Sequence, residues 1–419
     1  MSLAEGEYEQ FEIPKMSQGQ INLLQERLKS TVWPNELEKD YGWDYGAPTW
    51  AVKPLVEEWA NSFNWDEFKA DISKWKHFRM NVDGLLMHYI HERSSQPNAI
   101  PIVLLHGWPS TFYEFHKIIG PLRDGVGNNQ AFHVIVPSLP GFGFSEAPKI
   151  KGYGIVKIAS MINALMMNLG YNEYMYHGGD WGAIIGKTIA VNHSNNCKAF
   201  HTTMPMLLPP IPTPRNIIFH PFKVAKFLVS LVVGFDWVYG KGKARLGGAT
   251  FANAERDKGC GYRAIQGTRP YTLSFGLTDS PAGVLTWLLE KYHEWTFHPA
   301  ERQNTESLPE TISSKEFLTQ VSIYWMTNTI SSSVRIYYEC LNQNEITSNV
   351  MSYVKIPFAV SSFASEISKL PKDWLEASAN LQQYSEIEYG GHFPGLEEPQ
   401  ILLADLQKFG KHIKKTQIL

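Results

Sequence analysis

Glu173-Tyr-Met-Tyr-His-Gly-Gly-Asp-Trp-Gly-Ala-Ile-Ile-Gly186 is the stretch that decides how this chain is read. Tyr174 to His177 is a strand-like run, Gly178 to Gly182 sets small residues around one acid, and a helix-like run follows. Small–x–acid–x–small between strand and helix is the pattern of a nucleophile elbow, with aspartate in place of the usual serine. A turn that sharp presses backbone against backbone and forces unusual φ/ψ, which residues without a Cβ accept most readily. The same letters fit a Gly-rich strand-to-helix turn in which Asp180 only caps the helix. The stretch alone leaves both readings standing.

Its surroundings are α/β in grammar. Upstream, Ile100 to Leu105 is a continuous apolar run, as expected of a strand buried on both faces, and it ends in His106-Gly-Trp-Pro109. A strand at His133–Val136, a turn-rich loop Pro137–Ser145 and an amphipathic helix over 155–169 lead into the elbow. A helix from Ala183 to Asn192 and a short strand at Ala199–Thr203 follow it. Strands alternating with helices predict βαβ units and a mainly parallel sheet, with sites gathered where strands end.

Residues 205–350 break the rhythm with a proline-rich entrance and long aromatic helical runs, and they read as a cap inserted over the sheet. Strand patterns return at Ile356–Phe363 and Gln383–Glu388, the second leading into Tyr389-Gly-Gly-His-Phe-Pro394. Pro399 opens a last helix with Leu402, Leu406 and Phe409 on one face. Residues 1–90 read as an aromatic-rich helical extension. In it Trp33-Pro34 ends one segment, Pro54 is expected in a first helical turn, Asn64 with Glu67 resembles a capping box, and His77–Ile90 is a candidate hairpin. The expected organisation is a 1–90 extension, a core in two parts at 91–204 and 351–419, and a 205–350 cap.

Composition narrows the function. A formal net charge of −3 gives no sign of nucleic-acid binding or of a polybasic membrane patch. Cys197, Cys260 and Cys340 have neither metal spacing nor a disulfide framework, so no metal site is expected of them and a reducing, cytoplasmic compartment is; the chemistry read below calls for no cofactor. The polar, acidic start Met1–Phe11 is not a signal peptide, and no run reaches the roughly 18 apolar residues of a membrane span. Phe227–Phe235, the most apolar stretch, is expected to be a buried or pocket-lining helix, with membrane contact as the alternative. Aromatic residues make up 13% of the chain, enough to line a pocket for an apolar ligand as well as a core.

The chain order Asp180, an acid near 366 and then His392 is that of an α/β-hydrolase. His392 stands in a Gly-rich loop after the last strand, and Glu366, just past Phe363, could orient it. Taken singly, each would pass for a loop histidine or a surface glutamate. An aspartate nucleophile attacks an sp³ carbon and forms an alkyl ester, which activated water must then hydrolyse. That suits opening an epoxide or displacing a halide. The ester step passes through an oxyanion and needs backbone N–H donors, for which Trp108 and Trp181 are the candidates.

His106-Gly-Trp-Pro109, Gly178-Gly-Asp-Trp-Gly182, Gly390-Gly-His-Phe393 and the lead-in around Trp33-Pro34 together resemble the microsomal-type epoxide hydrolase family, over nearly the whole chain. The resemblance implies the α/β-hydrolase fold, a role in detoxification or lipid-epoxide metabolism, and a small apolar epoxide as substrate. Gly261-Tyr-Arg-Ala-Ile-Gln266 resembles the block carrying one epoxide-polarising tyrosine, which gives Tyr262 that role. The segment Ser332-Ser-Val-Arg-Ile-Tyr-Tyr-Glu339 gives the second to Tyr337, with Tyr338 adjacent. Phe363-Ala-Ser-Glu366 resembles the stretch ending in the charge-relay glutamate. Membrane-bound relatives carry an N-terminal anchor helix not found here, so a cytoplasmic location is expected, with peripheral attachment at the endoplasmic reticulum as the alternative. Homo-oligomer formation stays open.

Two other readings compete. A haloalkane dehalogenase would use the same Asp180 and His392 and hold halide on ring N–H groups such as those of Trp108 or Trp181. A silent α/β-hydrolase would only bind an apolar ligand. A pair of cap tyrosines favours the epoxide.

Overall fold

The computed structural model describes residues 3–126, 129–245, 258–343 and 345–419; residues 246–257 and 344, which fall within the expected cap, lie outside the described residues. Among the described residues nine strands form one sheet: β1 (Tyr8–Gln10), β2 (His77–Val82), β3 (Leu85–Glu92), β4 (Ile100–Leu105), β5 (Phe132–Pro137), β6 (Tyr174–Gly178), β7 (Cys197–Thr202), β8 (Val354–Ser362) and β9 (Ala379–Glu386). Their order is β1-β2-β3-β5-β4-β6-β7-β8-β9. The first three pairings are antiparallel, and from β5 to β9 every neighbour is parallel.

Strand periodicity explains why the β4 run is apolar throughout. Ile102 and Leu104 point to one face, where they meet Leu402, Leu406 and Phe409 of the last helix, Pro399–Lys415. Val103 and Leu105 point to the other, where the helices Ile155–Asn168 and Asp180–Asn192 pack. A strand covered on both sides has no polar face to show.

The hairpin expected at 77–90 is β2–β3, closed by Asp83 (φ 57°) and Gly84 (φ 75°), the two left-handed residues that a tight two-residue turn needs. Residue 90 lies inside β3, and β1, fully exposed and polar, ties the chain's first residues to the main sheet. The helix expected to begin near Pro54 starts at Thr49 instead, so proline is its sixth residue. There its ring forfeits the bond to the Trp50 carbonyl, which the buried face of Ala51, Val52, Leu55, Val56 and Trp59 outweighs. Asn64 does cap its helix through its own Oδ1, but without the reciprocal bond; reciprocal capping boxes are formed by Ser17 with Gln20 and by Ser313 with Glu316.

Between β7 and β8 the described chain is helical, from Pro214–Phe219 to Glu345–Met351. The expectation of a buried or pocket-lining helix at 227–235 is not met. Within the helix Pro221–Val233 only Val224, Phe227 and Ser230 are buried, and its other apolar side chains face outward.

Candidate functional site

The elbow forms as its sequence demands. β6 ends at Gly178, and Asp180 opens the next helix with φ 47°, a left-handed value that a residue with a Cβ tolerates only under constraint from its surroundings. The neighbours supply that constraint. A Cβ on Gly182 would overlap the Leu105 carbonyl, and one on Gly107 would overlap the Asp180 carboxylate itself. The absence of side chains at these two positions lets β4's end, the elbow and its acid close on one another.

Around Asp180 the ends of the parallel strands converge. The Trp108 N–H, just past β4, donates to Asp180 Oδ1 at 2.8 Å. The Trp181 N–H lies in the first helical turn, where amides have no intrahelical acceptor. On the other side His392 Nε2 stands 3.4 Å from Asp180 Oδ2, an ionic contact without an aligned hydrogen bond. His392 Nδ1 meets Glu366 Oε1 at 2.7 Å, and that oxygen also accepts the Ile367 N–H at 2.7 Å. The two loops are laced together, with the Ser365 N–H donating to the Gly390 carbonyl at 3.0 Å.

His392 and Glu366 are buried, with 3% and 0% exposure. Burial would lower the imidazole's affinity for a proton, but the charges of Glu366 and Asp180 override it and hold His392 well above its ordinary pKa. Burial does the opposite to two nearby carboxyls. Glu114 and Glu397 are both pushed up to about 7.

Tyr262, in the helix Gly261–Thr268, and Tyr337, in Arg335–Asn342, close the site from the helical segment between β7 and β8. Their rings are 5.8 Å apart; Tyr262 stacks on Trp108 at 5.5 Å, and Tyr337 stands edge-on to Trp181 at 4.8 Å. Burial raises both phenols, with the Asp180 charge adding to it, so both keep their protons. The Tyr337 hydroxyl is buried without a hydrogen-bond partner. Tyr338 is half-buried and makes none of these ring contacts. The ring N–H groups of Trp108 and Trp181, the donors a halide site would use, are likewise buried and unpartnered. All seven residues singled out from the sequence (Asp180, Glu366, His392, Tyr262, Tyr337, Trp108 and Trp181) thus belong to one cluster. No group of acidic, histidine or cysteine side chains suited to a metal occurs among the described residues. A cleft of about 810 Å³ lies elsewhere, lined by Trp33, Leu277 and Trp287 among others.

Sequence reasoning missed three neighbours. Glu397 accepts the Phe393 N–H at 3.1 Å and the Phe297 N–H at 3.0 Å, clamping the His392 loop to the end of the helix Pro281–Glu294. The His392 N–H donates to the Trp295 carbonyl at 2.8 Å, and the Trp295 ring touches both His392 and Tyr262 at 5.0 and 5.3 Å. Glu114 is buried near His392 and Asp180. The sequence Gly395-Leu-Glu-Glu-Pro399 offered two acids and no means of choosing between them.

Residues 8–115 match the model of the epoxide hydrolase N terminus, and residues 100–230 match that of the alpha/beta hydrolase fold. The chain is 34% identical to epoxide hydrolase 1 of Sus scrofa, over 94% of this chain and 86% of that one. It is 32% identical to a putative epoxide hydrolase of Stigmatella aurantiaca, over 95% of this chain and 83% of that one. Among solved structures, juvenile hormone epoxide hydrolase from the silkworm Bombyx mori superposes with a TM-score of 0.84 at 29% identity, covering 98% of this chain and 96% of that one.

Proposed function

The chain belongs to the epoxide hydrolase family, and on that premise we propose that it opens an apolar epoxide through a covalent ester on Asp180. An Asp180 carboxylate oxygen attacks one epoxide carbon, and the C–O bond of that carbon breaks. Tyr262 and Tyr337 hydrogen-bond the epoxide oxygen, and one of them donates its proton as the alkoxide forms. His392, oriented by Glu366, then takes a proton from water, and the hydroxide attacks the ester carbonyl. The N–H groups of Trp108 and Trp181 hold the resulting oxyanion. Collapse releases a vicinal diol, the imidazolium supplying the departing oxygen's proton, and the proton left on the Asp180 carboxyl passes to the phenolate, which restores both the carboxylate and the tyrosine.

The observation that carries this reading is the shared carboxylate of Asp180, with one oxygen on the Trp108 amide and the other facing His392. It also resolves a difficulty. A base must be unprotonated, yet His392 is held well above its ordinary pKa by two carboxylates. Alkylation of Asp180 removes one of those charges, so the imidazole's hold on a proton weakens at the stage that needs a base.

We read residues 1–90 as an extension, 91–204 and 351–419 as the core, and 205–350 as the cap. The three cysteines are buried and unpaired, which supports a cytoplasmic, reducing setting. The unpartnered tryptophan ring N–H groups are what a dehalogenase would need, but the relatives favour epoxide chemistry. One experiment separates the mechanisms. Single turnover in heavy-oxygen water should give a diol whose new oxygen is unlabelled, because it comes from Asp180. Label in the first-turnover diol would exclude the ester. A panel of aryl, fatty-acid and terpenoid epoxides then assigns the substrate.

A further inference from the structure

The helices Pro214–Phe219, Pro221–Val233 and Phe235–Tyr239 follow one another on the outside of the molecule. Their inner side is accounted for: Phe227, Phe235 and Tyr239 all pack against Trp374 at 5.6–5.7 Å. The outer side is not. Phe222, Val232 and Trp237 are 88%, 86% and 86% exposed, and Ile218, Phe219 and Val229 extend the same surface. Isolated exposed apolar residues are ordinary, but a run of large ones on consecutive helices marks a surface that meets something else. A helix apolar on both its inner and outer faces carries the same message.

Charge points to the partner. Residues 214–245 hold six cations (Arg215, Lys223, Lys226, Lys241, Lys243, Arg245) and one anion, Asp236, in a chain of formal net charge −3. Lys223, Lys226 and Lys243 pair with Glu376, Asp373 and Glu386 on neighbouring elements. Counting those acids still leaves the cations in excess. A protein partner would need a shape matched to these side chains. A bilayer needs only phenylalanine, tryptophan and branched aliphatics to enter the headgroup boundary, and cations beside them to meet anionic lipid. The helix 221–233 has thirteen residues, about 20 Å, too short to cross a bilayer but long enough to lie in its surface.

We propose that the outer face of residues 214–239 docks on an anionic lipid bilayer, with Phe219, Phe222, Val232 and Trp237 in the headgroup–acyl boundary. This goes beyond the epoxide-opening reading and stands or falls separately from it.

The test is co-flotation of the full chain with vesicles of pure phosphatidylcholine and of phosphatidylcholine with phosphatidylserine at about three to one. The chain should float with the mixed vesicles and much less with the neutral ones. Phe222→Gln/Val232→Gln/Trp237→Gln should lower partitioning at least about tenfold, while turnover of a small water-soluble epoxide and the unfolding midpoint stay unchanged. As an independent readout, bromine-labelled acyl chains should quench wild-type emission more than that of Trp237→Phe. Wild type that stays unbound to both vesicles, or a triple variant that floats as well as wild type, would overturn the proposal. So would a wild-type dimer, with no flotation, that the triple variant converts to monomer; the surface would then be a self-interface.

Discussion

Tyr337→Phe should make the protein no less stable and a much poorer catalyst. Tyr337 is 5% exposed and its hydroxyl has no partner; the nearest polar neighbours, the Trp181 and Tyr262 side chains, are not aligned to bond it. A buried hydroxyl left unpaired costs about 1–3 kcal/mol. Phenylalanine keeps the ring and its contacts to Trp181 at 4.8 Å, Trp108 at 5.8 Å and Tyr262 at 5.8 Å. Removing only the hydroxyl therefore changes stability by between zero and about +1 kcal/mol. In a chain of 419 residues that moves Tm by only about 1 °C, so a urea midpoint is the better measure. Activity should move the other way. Losing one of two donors to the epoxide oxygen costs on the order of 10²–10³ in the rate of ester formation, read by rapid quench in single turnover. Tyr338→Phe should leave both measurements unchanged. Adding Tyr262→Phe should cost less than the product of the single effects if both phenols serve one oxygen. Undiminished ester formation in Tyr337→Phe, or a stability loss of about 2 kcal/mol or more, would refute the reasoning.

Three other outcomes are expected. His392→Gln should form the ester but hydrolyse it slowly, so that intact-mass spectrometry finds the chain heavier by one substrate; a chain of unchanged mass after exposure to substrate counts against His392 as the water-activating base. Glu397→Gln can offer only one oxygen to the two backbone N–H groups it now serves, leaving one unpaired at about 1–3 kcal/mol. Ester hydrolysis should slow about tenfold with KM little changed, and equal loss in ester formation and hydrolysis would rule out a specific effect on the histidine loop. Glu114 is raised by burial from 4.5 to about 7, so between those values the folded state binds more protons than the unfolded. Its contribution is then full below about pH 4.5 and is lost as pH rises to 7, a fall of roughly 3 kcal/mol. Glu114→Gln should flatten the decline in urea stability between pH 5 and 8, and an unaltered slope would show that another group titrates.

What could be read from the sequence follows from how local each cause is. The elbow, the His-Gly-Trp-Pro turn and the Gly-Gly-His loop are legible because their chemistry needs glycines at fixed offsets from one functional side chain. β4 is legible because burial on both faces removes polar residues from a strand. β1 left no such mark, since a short exposed edge strand is held by backbone pairing alone. Glu397 could not be told from Glu398, because its task is set by joining the nearby Phe393 amide to the Phe297 amide, 100 residues away, which only the fold brings to it. Tyr337 and Tyr338 differ only in helical phase, and the inward face is fixed by the packing of Tyr337 and Cys340. At 227–235 hydropathy measured how apolar the helix is, and could not say that its neighbours would cover only one side.

The backbone bond from His392 to the Trp295 carbonyl, doubled by the Glu397 clamp on Phe297, fastens the His392 loop to the segment that follows the helix Pro281–Glu294. A movement that lifted Trp295 and Phe297 away from the core would also carry His392 away from Asp180, whose Oδ2 lies 3.4 Å from its Nε2. Under the mechanism proposed above, substrate entry by such a movement and water activation at His392 would exclude one another, because the same bonds hold both parts.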